Sequence, residues 1–439
     1  MCQYRAFASK AFKKAFYEYK AVSKIKYYEV IFLKRLVAFI LILLFIFPVE
    51  AHCDELTGIR AQGACLMEYE TGRVLYEKNM NKQLPMASTT KIMTCIIALE
   101  SGKLEETVTA SANAASSPKV HLGLKKGEKH RLYDLLYPLM LLSANDCAVA
   151  VAEHIGGSVS GFAEIMNKKA KEIGALNTEF VTPNGLDCGN HHSTAYDMAL
   201  ITRYALKNSE FRNIIATRQI TIPLKNNTEK SYTVYSKNRL LNEFDGAIGV
   251  KTGFTGKAGN CFVGAAQRNN LTLISVNLAS GWGNAGKEQK WKDSKNMLSY
   301  GFENYKMYKI AEKGKILGNT NVTFSDTKEV DDICECDGYA CLSEDELKNI
   351  KRYLIIADSK EAEIKAGDKT GELIIKTKAG EELFRCAVLA KQDAKRYTYK
   401  DRVMKTVEIW QKNNTRLLTL FGKMLKKTVL AGTIFAKRG

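Results

Sequence analysis

No apolar run in this chain of 439 residues is long enough to span a bilayer comfortably: the strongly apolar stretch from Leu36 to Val49 falls short of the ~20 residues that a transmembrane helix needs. A multi-span membrane protein is excluded. Metal-binding patterns are missing as well. The six histidines include the pair His191-His192 but no H-E-x-x-H. Cys334, Cys336 and Cys341 follow C-x-C-x4-C, which is not a zinc spacing. No metal and no cofactor are expected. The eleven cysteines have no repeating spacing, so they outline no disulfide framework and read as mostly free, buried thiols. Nor does the body of the chain carry a basic stripe. The net charge is +18, yet residues 1–51 hold about +6 and residues 391–439 about +10, leaving about +2 between them. Nucleic acid is therefore not an expected partner. The charge sits at the two ends, where a membrane surface would be met.

Hydrophobic residues make up 46% and charged residues 26%, the balance of a globular protein, and the length suits two or three units. Lys34 and Arg35 precede the apolar run, and Val49-Glu50-Ala51 offers small residues where a signal peptidase reads. Residues 1–51 are thus expected to be a signal peptide and the remainder exported. An uncleaved signal anchor is the competing reading, because the basic segment is long. Lipidation at Cys53 is disfavoured by the lead-in Glu50-Ala51-His52.

Behind the signal, residues 64–79 predict a hairpin around Glu70-Thr71-Gly72. A helix opens near Ser88, and Ile92, Met93, Cys95, Ile96, Ile97 and Leu99 form its apolar face. Further helices are predicted over 134–155, 161–174, 195–206 and 291–305. Strands are predicted over 214–223, 247–252, 261–266 and 271–278. This interleaving is an α+β pattern with an antiparallel sheet. From about residue 306 short strands dominate, including 372–376 and 382–390, and a small β domain follows.

Three motifs stand in order: Ser88-Thr89-Thr90-Lys91, Ser143-Ala144-Asn145 and Lys251-Thr252-Gly253. Residues three apart on a helix share a face, so Lys91 reaches the hydroxyl of Ser88. A serine hydroxyl is a weak nucleophile until a base stands beside it. A lysine serves as that base when burial or neighbouring cations depress its pKa, and Lys251 would be such a cation across a cleft. Ser143 and Asn145 would relay a proton and hold a substrate amide. Main-chain N–H groups of Ser88 and Phe254 would form an oxyanion hole. Each motif alone is weak. Ser23–Lys26 and Ser116–Lys119 repeat the first, Ser111-Ala112-Asn113 the second, and Lys369-Thr370-Gly371 the third. Context selects among them: Ser23 precedes the export segment, Pro118 spoils a helix through Lys119, and Lys369 lies in a charged turn.

The stretches MASTTKIMT, LLSANDCAVAVAE, TPNGLD with STAYDMA, and GVKTGFT closely resemble the D-alanyl-D-alanine carboxypeptidases of peptidase family S11, the penicillin-binding protein 5 type. The resemblance is strong over roughly residues 60–305, weaker over the β domain, and one of character only at the C-terminal helix. It implies a serine β-lactamase/DD-peptidase-like catalytic domain over residues 52–305, a β-rich domain over 306–395 and an amphipathic helix over 396–439. It implies that peptidoglycan stem peptides ending in D-Ala-D-Ala are the substrate and that penicillins acylate the enzyme in their place. Ser88, Lys91 and Ser143 become the catalytic residues. Asn145, Lys251, Thr252, Gly253 and Phe254 line the substrate site, Lys251 and Thr252 binding the terminal carboxylate. The expected location is the outer face of the cytoplasmic membrane or the cell wall.

Three positions depart from that pattern. Asn184 and Phe254 stand where many relatives have histidine. The segment SGWGNAGKEQKWK offers Lys287, Lys290 and Lys292 where relatives place a carboxylate-binding arginine, and a lysine lacks the bidentate fork. A β-lactamase would share Ser88, Lys91 and Lys251 but needs an E-x-x-L-N loop, which is not found. A non-turnover penicillin-binding sensor or scaffold is the third reading. At the C-terminus, Lys405, Lys412, Arg416, Lys423 and Lys427 fall on one helical stripe. Val403, Val407, Trp410, Leu417, Leu418, Phe421, Met424 and Leu425 lie opposite, interrupted only by Asn414. This helix is expected to lie on an anionic membrane surface.

Overall fold

The computed structural model describes residues 56–435. The segment read as a signal peptide lies outside the described residues. Strands β1 (Gly63–Glu68) and β2 (Val74–Lys78) form the expected hairpin. The buried Glu68 carboxylate fixes its turn by accepting the N–H groups of Glu70 at 2.6 Å and Thr71 at 2.7 Å. Strands β3 (Ala247–Thr255), β4 (Gly259–Arg268) and β5 (Leu271–Leu278) complete a five-stranded antiparallel sheet in the order β2-β1-β5-β4-β3. Lys251 pairs with Val263 and Gly253 with Cys261, so the third motif runs along an edge strand.

Helices cover both faces of this sheet, which explains why β4 is apolar nearly throughout instead of alternating. Cys261, Val263 and Ala265 pack into the cluster that contains α1 (Lys91–Glu100), α2 (Leu132–Leu141) and α3 (Asn145–Gly156). Phe262 and Ala266 pack the other way, against the long helix α7 (Gly283–Asn304), where the rings of Phe262 and Trp291 lie 4.6 Å apart. Helices α4 (Val159–Ile173) and α5 (Ala195–Ala205) are held at their starts by Ser158 and Thr194, whose side chains accept N–H groups of the first turn.

Three expectations need correction. The helix predicted over 134–155 is two helices, α2 and α3, because the chain turns between them with Ser143 at φ +69°. The strand predicted from Ile214 begins only at Gln219; Ser209–Ala216 is helix α6, capped by Asn208 and burying Phe211, Ile214 and Ile215 at helical spacing. Helix α7 starts at Gly283, well before Trp291. Its first turns carry Gly283 and Gly286, poor helix formers, but a Cβ at Gly286 would fall 2.3 Å from the Gly281 backbone, so close packing requires glycine there.

Beyond α7, β6 (Lys306–Ala311) and β9 (Gly338–Leu342) pair with each other. Strands β7 (Ile316–Thr323), β8 (Glu329–Cys334), β10 (Lys351–Ile356), β11 (Ser359–Glu361), β12 (Lys369–Lys376) and β13 (Glu382–Ala390) form a six-stranded sheet ordered β10-β12-β13-β8-β7-β11. Only the short helix α8 (Glu344–Asn349) interrupts these strands. The chain then enters helix α9 (Tyr399–Phe435). Thr398 caps it: its hydroxyl accepts the Asp401 N–H at 3.2 Å, and the Asp401 carboxylate accepts the Thr398 N–H at 2.9 Å. Val403 is 44% exposed and Trp410 66%, so the apolar stripe of α9 is uncovered over its described side chains. No helix of the described residues is long and apolar enough to cross a membrane.

Candidate active site

The site is built around a short 3-10 turn, Ala87–Thr90, that leads into α1. Ala87 adopts φ +48°, which turns the chain so that Ser88 heads the helix one turn before Lys91. The Lys91 ammonium is fully buried and donates to three acceptors: Ser88 Oγ at 2.9 Å, Asn145 Oδ1 at 2.8 Å and the Asn184 carbonyl at 2.6 Å. Three donors and three acceptors leave none over. Burial lowers the Lys91 pKa to about 7, opposed by Cys147 and Asp146. A substantial fraction of the amine is then neutral at neutral pH. In that form it accepts a proton, and its partner is the Ser88 hydroxyl.

The second motif arrives from between α2 and α3. Asn145 is clamped by its own backbone and side chain: its N–H donates to the Val120 carbonyl at 2.8 Å and its Nδ2 to the Pro118 carbonyl at 3.0 Å. Asp146 holds the same loop, accepting the N–H groups of Leu122 at 2.9 Å, Gly123 at 2.8 Å and Leu124 at 2.9 Å. Ser143 is half-buried, and its hydroxyl makes no hydrogen bond among the described residues. Lys91, Ser88 and Asn145 are thus joined directly, whereas Ser143 is not bonded to them.

Strand β3 closes the other side. A Cβ at Gly253 would lie 3.0 Å from the Ser88 nitrogen, so glycine lets the strand lie against the turn where a side chain would push the two a few tenths of an ångström apart. Lys251 is buried, with Nζ donating to the Thr252 carbonyl at 3.0 Å. Burial lowers its pKa well below the usual lysine value, and the charges of Lys91, Lys290 and Lys237 lower it further. Thr252 is half-buried beside it, and Phe254 is 54% exposed. Of the three lysines in the arginine-free segment, Lys287 and Lys292 are exposed. Lys290 is half-buried, with Nζ 3.5 Å from Asn260 Oδ1.

Several groups escaped the sequence reading. The main-chain carbonyl of Asn184 accepts from Lys91, and a carbonyl leaves no side-chain signature. His191 bonds Thr90 Oγ1 through Nε2 at 2.8 Å, and Thr90 donates to the Ala87 carbonyl at 2.8 Å. The other ring nitrogen of His191 accepts the Val181 N–H at 2.9 Å. Burial lowers the His191 pKa to about 4, which keeps the ring neutral, with Nε2 carrying its proton. Asp187 Oδ1 accepts from Thr255 Oγ1 at 2.9 Å and ties the 183–188 loop to the end of β3.

The duplicate motifs among the described residues have structural partners of their own, although the carbonyl of Pro118 within Ser116–Lys119 also accepts from Asn145, and Ser23–Lys26 lies outside the described residues. Ser116 Oγ donates to the Asn113 carbonyl at 2.9 Å, Ser111 caps the Ala112–Ala115 helix, and Lys369, exposed at the start of β12 rather than in a turn, pairs with Glu372 at 2.5 Å.

The family model for D-alanyl-D-alanine carboxypeptidase, peptidase S11, matches residues 50–281, more than half of the chain. The chain belongs to this family. A second model, the penicillin-binding protein 5 C-terminal domain, matches residues 305–396, which hold the six-stranded sheet. Among S11 relatives, D-alanyl-D-alanine carboxypeptidase DacF of Bacillus subtilis is 33% identical over 359 residues, covering 80% of this chain and 90% of that protein. D-alanyl-D-alanine carboxypeptidase DacA of Haemophilus influenzae is 32% identical over 72% of this chain and 81% of its own length. Among solved structures, penicillin binding protein 5 from Haemophilus influenzae superposes with a TM-score of 0.64 at 28% identity, covering 77% of this chain and 98% of that one. The likeness to that structure thus reaches beyond the residues that the S11 model matches.

Proposed function

We propose that this S11 member removes the terminal D-alanine from peptidoglycan stem pentapeptides, with Ser88 as nucleophile and Lys91 as its base. The observation that carries this reading is the 2.9 Å contact between Lys91 Nζ and Ser88 Oγ, made by a lysine whose pKa burial brings down to about 7. Neutral Lys91 takes the hydroxyl proton as Ser88 Oγ attacks the penultimate D-alanine carbonyl. The main-chain N–H groups of Ser88 and Phe254 receive the developing oxyanion. The proton passes to the departing D-alanine nitrogen, and the uncommitted Ser143 hydroxyl is suited to relay it. Water then releases the shortened peptide by the reverse of these transfers. Asn145 holds the substrate amide, and Gly253 keeps β3 close enough for the chain to lie between them.

Lys251 and Thr252 bind the terminal carboxylate. Lys290 supplies a second positive charge behind them where relatives have arginine; as a point charge it orients the carboxylate less rigidly than a fork. Penicillins, carrying the same carboxylate beside a strained amide, acylate Ser88. We further propose export by a cleaved signal over residues 1–51, a catalytic domain over 52–305, a β-rich domain over 306–395, and a C-terminal segment, 396–439, that rests on the anionic membrane surface and keeps the site at the outer face of the membrane. The experiment is steady-state release of D-alanine from diacetyl-L-Lys-D-Ala-D-Ala. Turnover supports a carboxypeptidase, cleavage of penicillin alone marks a β-lactamase, and a single unreleased acylation marks a sensor.

A further inference from the structure

Strands β8 and β13 pair antiparallel with Cys334 opposite Val388. The pairing continues past the end of β8, since the Glu335 N–H donates to the Ala387 carbonyl at 3.2 Å. Cys336 follows in the bend just beyond, and Cys334, Cys336 and Cys386 all border one apolar cluster. The sulfur atoms of Cys334 and Cys386 lie 3.5 Å apart, and Cys334 Sγ is 3.2 Å from the Cys336 carbonyl oxygen. Cys334 and Cys386 are 1% and 7% exposed, whereas Cys336 is half-buried at the margin of the same apolar cluster. Cys336 is thus the most accessible residue of the three, and the other two thiols are within reach of a bond with each other. Cys341 packs in a different cluster, its carbonyl held by Arg73 at 2.7 Å.

We propose that Cys334, Cys336 and Cys386 form a thiol–disulfide exchange site that accepts a low-molecular-mass disulfide at Cys336 and stores the bond between Cys334 and Cys386. The Cys336 thiolate attacks one sulfur of the oxidant, forming a mixed disulfide and releasing the first thiolate of the oxidant. The Cys386 thiolate then attacks Cys336 Sγ, closing Cys336–Cys386 and expelling the second. Finally the Cys334 thiolate attacks Cys386 Sγ, forming Cys334–Cys386 and returning Cys336 to the free thiol. Two protein thiols are oxidised, one external disulfide is reduced to two thiols, and the two protons go with them. The resolving steps are slow at neutral pH, because burial and the Cys334 hydrogen bond push the Cys386 pKa up to about 12. The product ties β8 to β13 and restricts the unfolded chain across the loop between them, which stabilises the β-rich part. None of this depends on the acyl-transfer reading.

The test uses the reduced full chain under native conditions with oxidised glutathione, followed by acid quench, alkylation and tryptic mapping. Cleavage after Lys328, Lys348, Arg385 and Lys391 places Cys334, Cys336 and Cys341 on one peptide and Cys386 on another. The two peptides become linked, with fragment ions assigning the bond to Cys334 and Cys386, and the thermal midpoint rises. Cys336→Ser slows the linkage about tenfold, since attack must then begin at a buried thiol, while Cys341→Ser leaves it unchanged. Cys386→Ser strands the reaction as a glutathione adduct on Cys336. The proposal is overturned if Cys386 stays alkylatable once Cys336 carries glutathione, if the bond joins Cys336 to Cys341 or to a second chain, or if Cys336→Ser links at the parent rate.

Discussion

Gly185 and Ala87 meet so closely that a Cβ on Gly185 would stand 1.9 Å from the Ala87 carbonyl oxygen. Gly185 has φ +83° and Ala87 φ +48°, so two left-handed residues on separate loops support each other beside Ser88. The same Ala87 carbonyl accepts the Thr90 hydroxyl, which His191 bonds in turn. Through the Asn184 carbonyl and Gly185 this loop sets where Ser88 and Lys91 point.

Gly185→Ala should displace the nucleophile turn. Overpacking and the left-handed backbone together are expected to cost about 1–3 kcal/mol of stability. Penicillin acylation should slow in the protein that remains folded. Thermal unfolding and labelling rate, measured on one sample, check both parts.

The Lys91 pKa of about 7 gives acylation a pH dependence with a definite sign. As the proposed base, Lys91 would act as the neutral amine, which predominates above that pKa. The rate should therefore rise with pH through about 7 and fall roughly tenfold for each unit below it. Stopped-flow acylation by a fluorescent penicillin across pH 5.5–9 measures this. A rate that falls as pH rises through 7 would remove Lys91 as the base.

The two K-T-G sequences should behave differently. Lys251→Ala should lose most acylation, because it removes the buried amine beside Thr252 on which the proposed carboxylate site depends. Lys369→Ala removes an exposed partner of Glu372 and should change stability by no more than about 0.5 kcal/mol. Lys290→Ala should raise KM for a substrate bearing a free carboxylate more than it lowers kcat.

Helix α9 carries its own test. A mature chain ending at Lys400 should stay folded and be acylated by penicillin, yet fail to bind anionic liposomes. The chain with its tail should bind them, more weakly in salt, with each headgroup-facing lysine or arginine contributing on the order of 1 kcal/mol. Equal binding by both chains, or unfolding on truncation, would assign the helix to the β-rich part instead.

Much of this architecture is legible in the sequence, for identifiable reasons. The S-x-x-K spacing places Ser88 and Lys91 on one helical face, and the apolar run of β4 marks a strand covered on both sides. The helix break at Ser143 escapes because an apolar helical pattern continues across it, and only the left-handed backbone there separates α2 from α3. The end of helix α6 reads as strand because Ile214 and Ile215 are β-branched, although with Phe211 they make one helical face. The contribution of Asn184 is a carbonyl, and any residue there supplies one. His191 acts through Thr90, a partner 101 positions away that no local pattern reveals.

Mass mapping of the penicillin adduct tests the central claim most directly. The full chain, its Ser88→Ala variant and its Ser116→Ala variant are each incubated with a fluorescent penicillin, digested and sequenced by mass spectrometry. The adduct should sit on Ser88 in the parent and in Ser116→Ala, and be absent from Ser88→Ala. An adduct that persists in Ser88→Ala, or that maps to any other serine of the parent, would contradict the assignment.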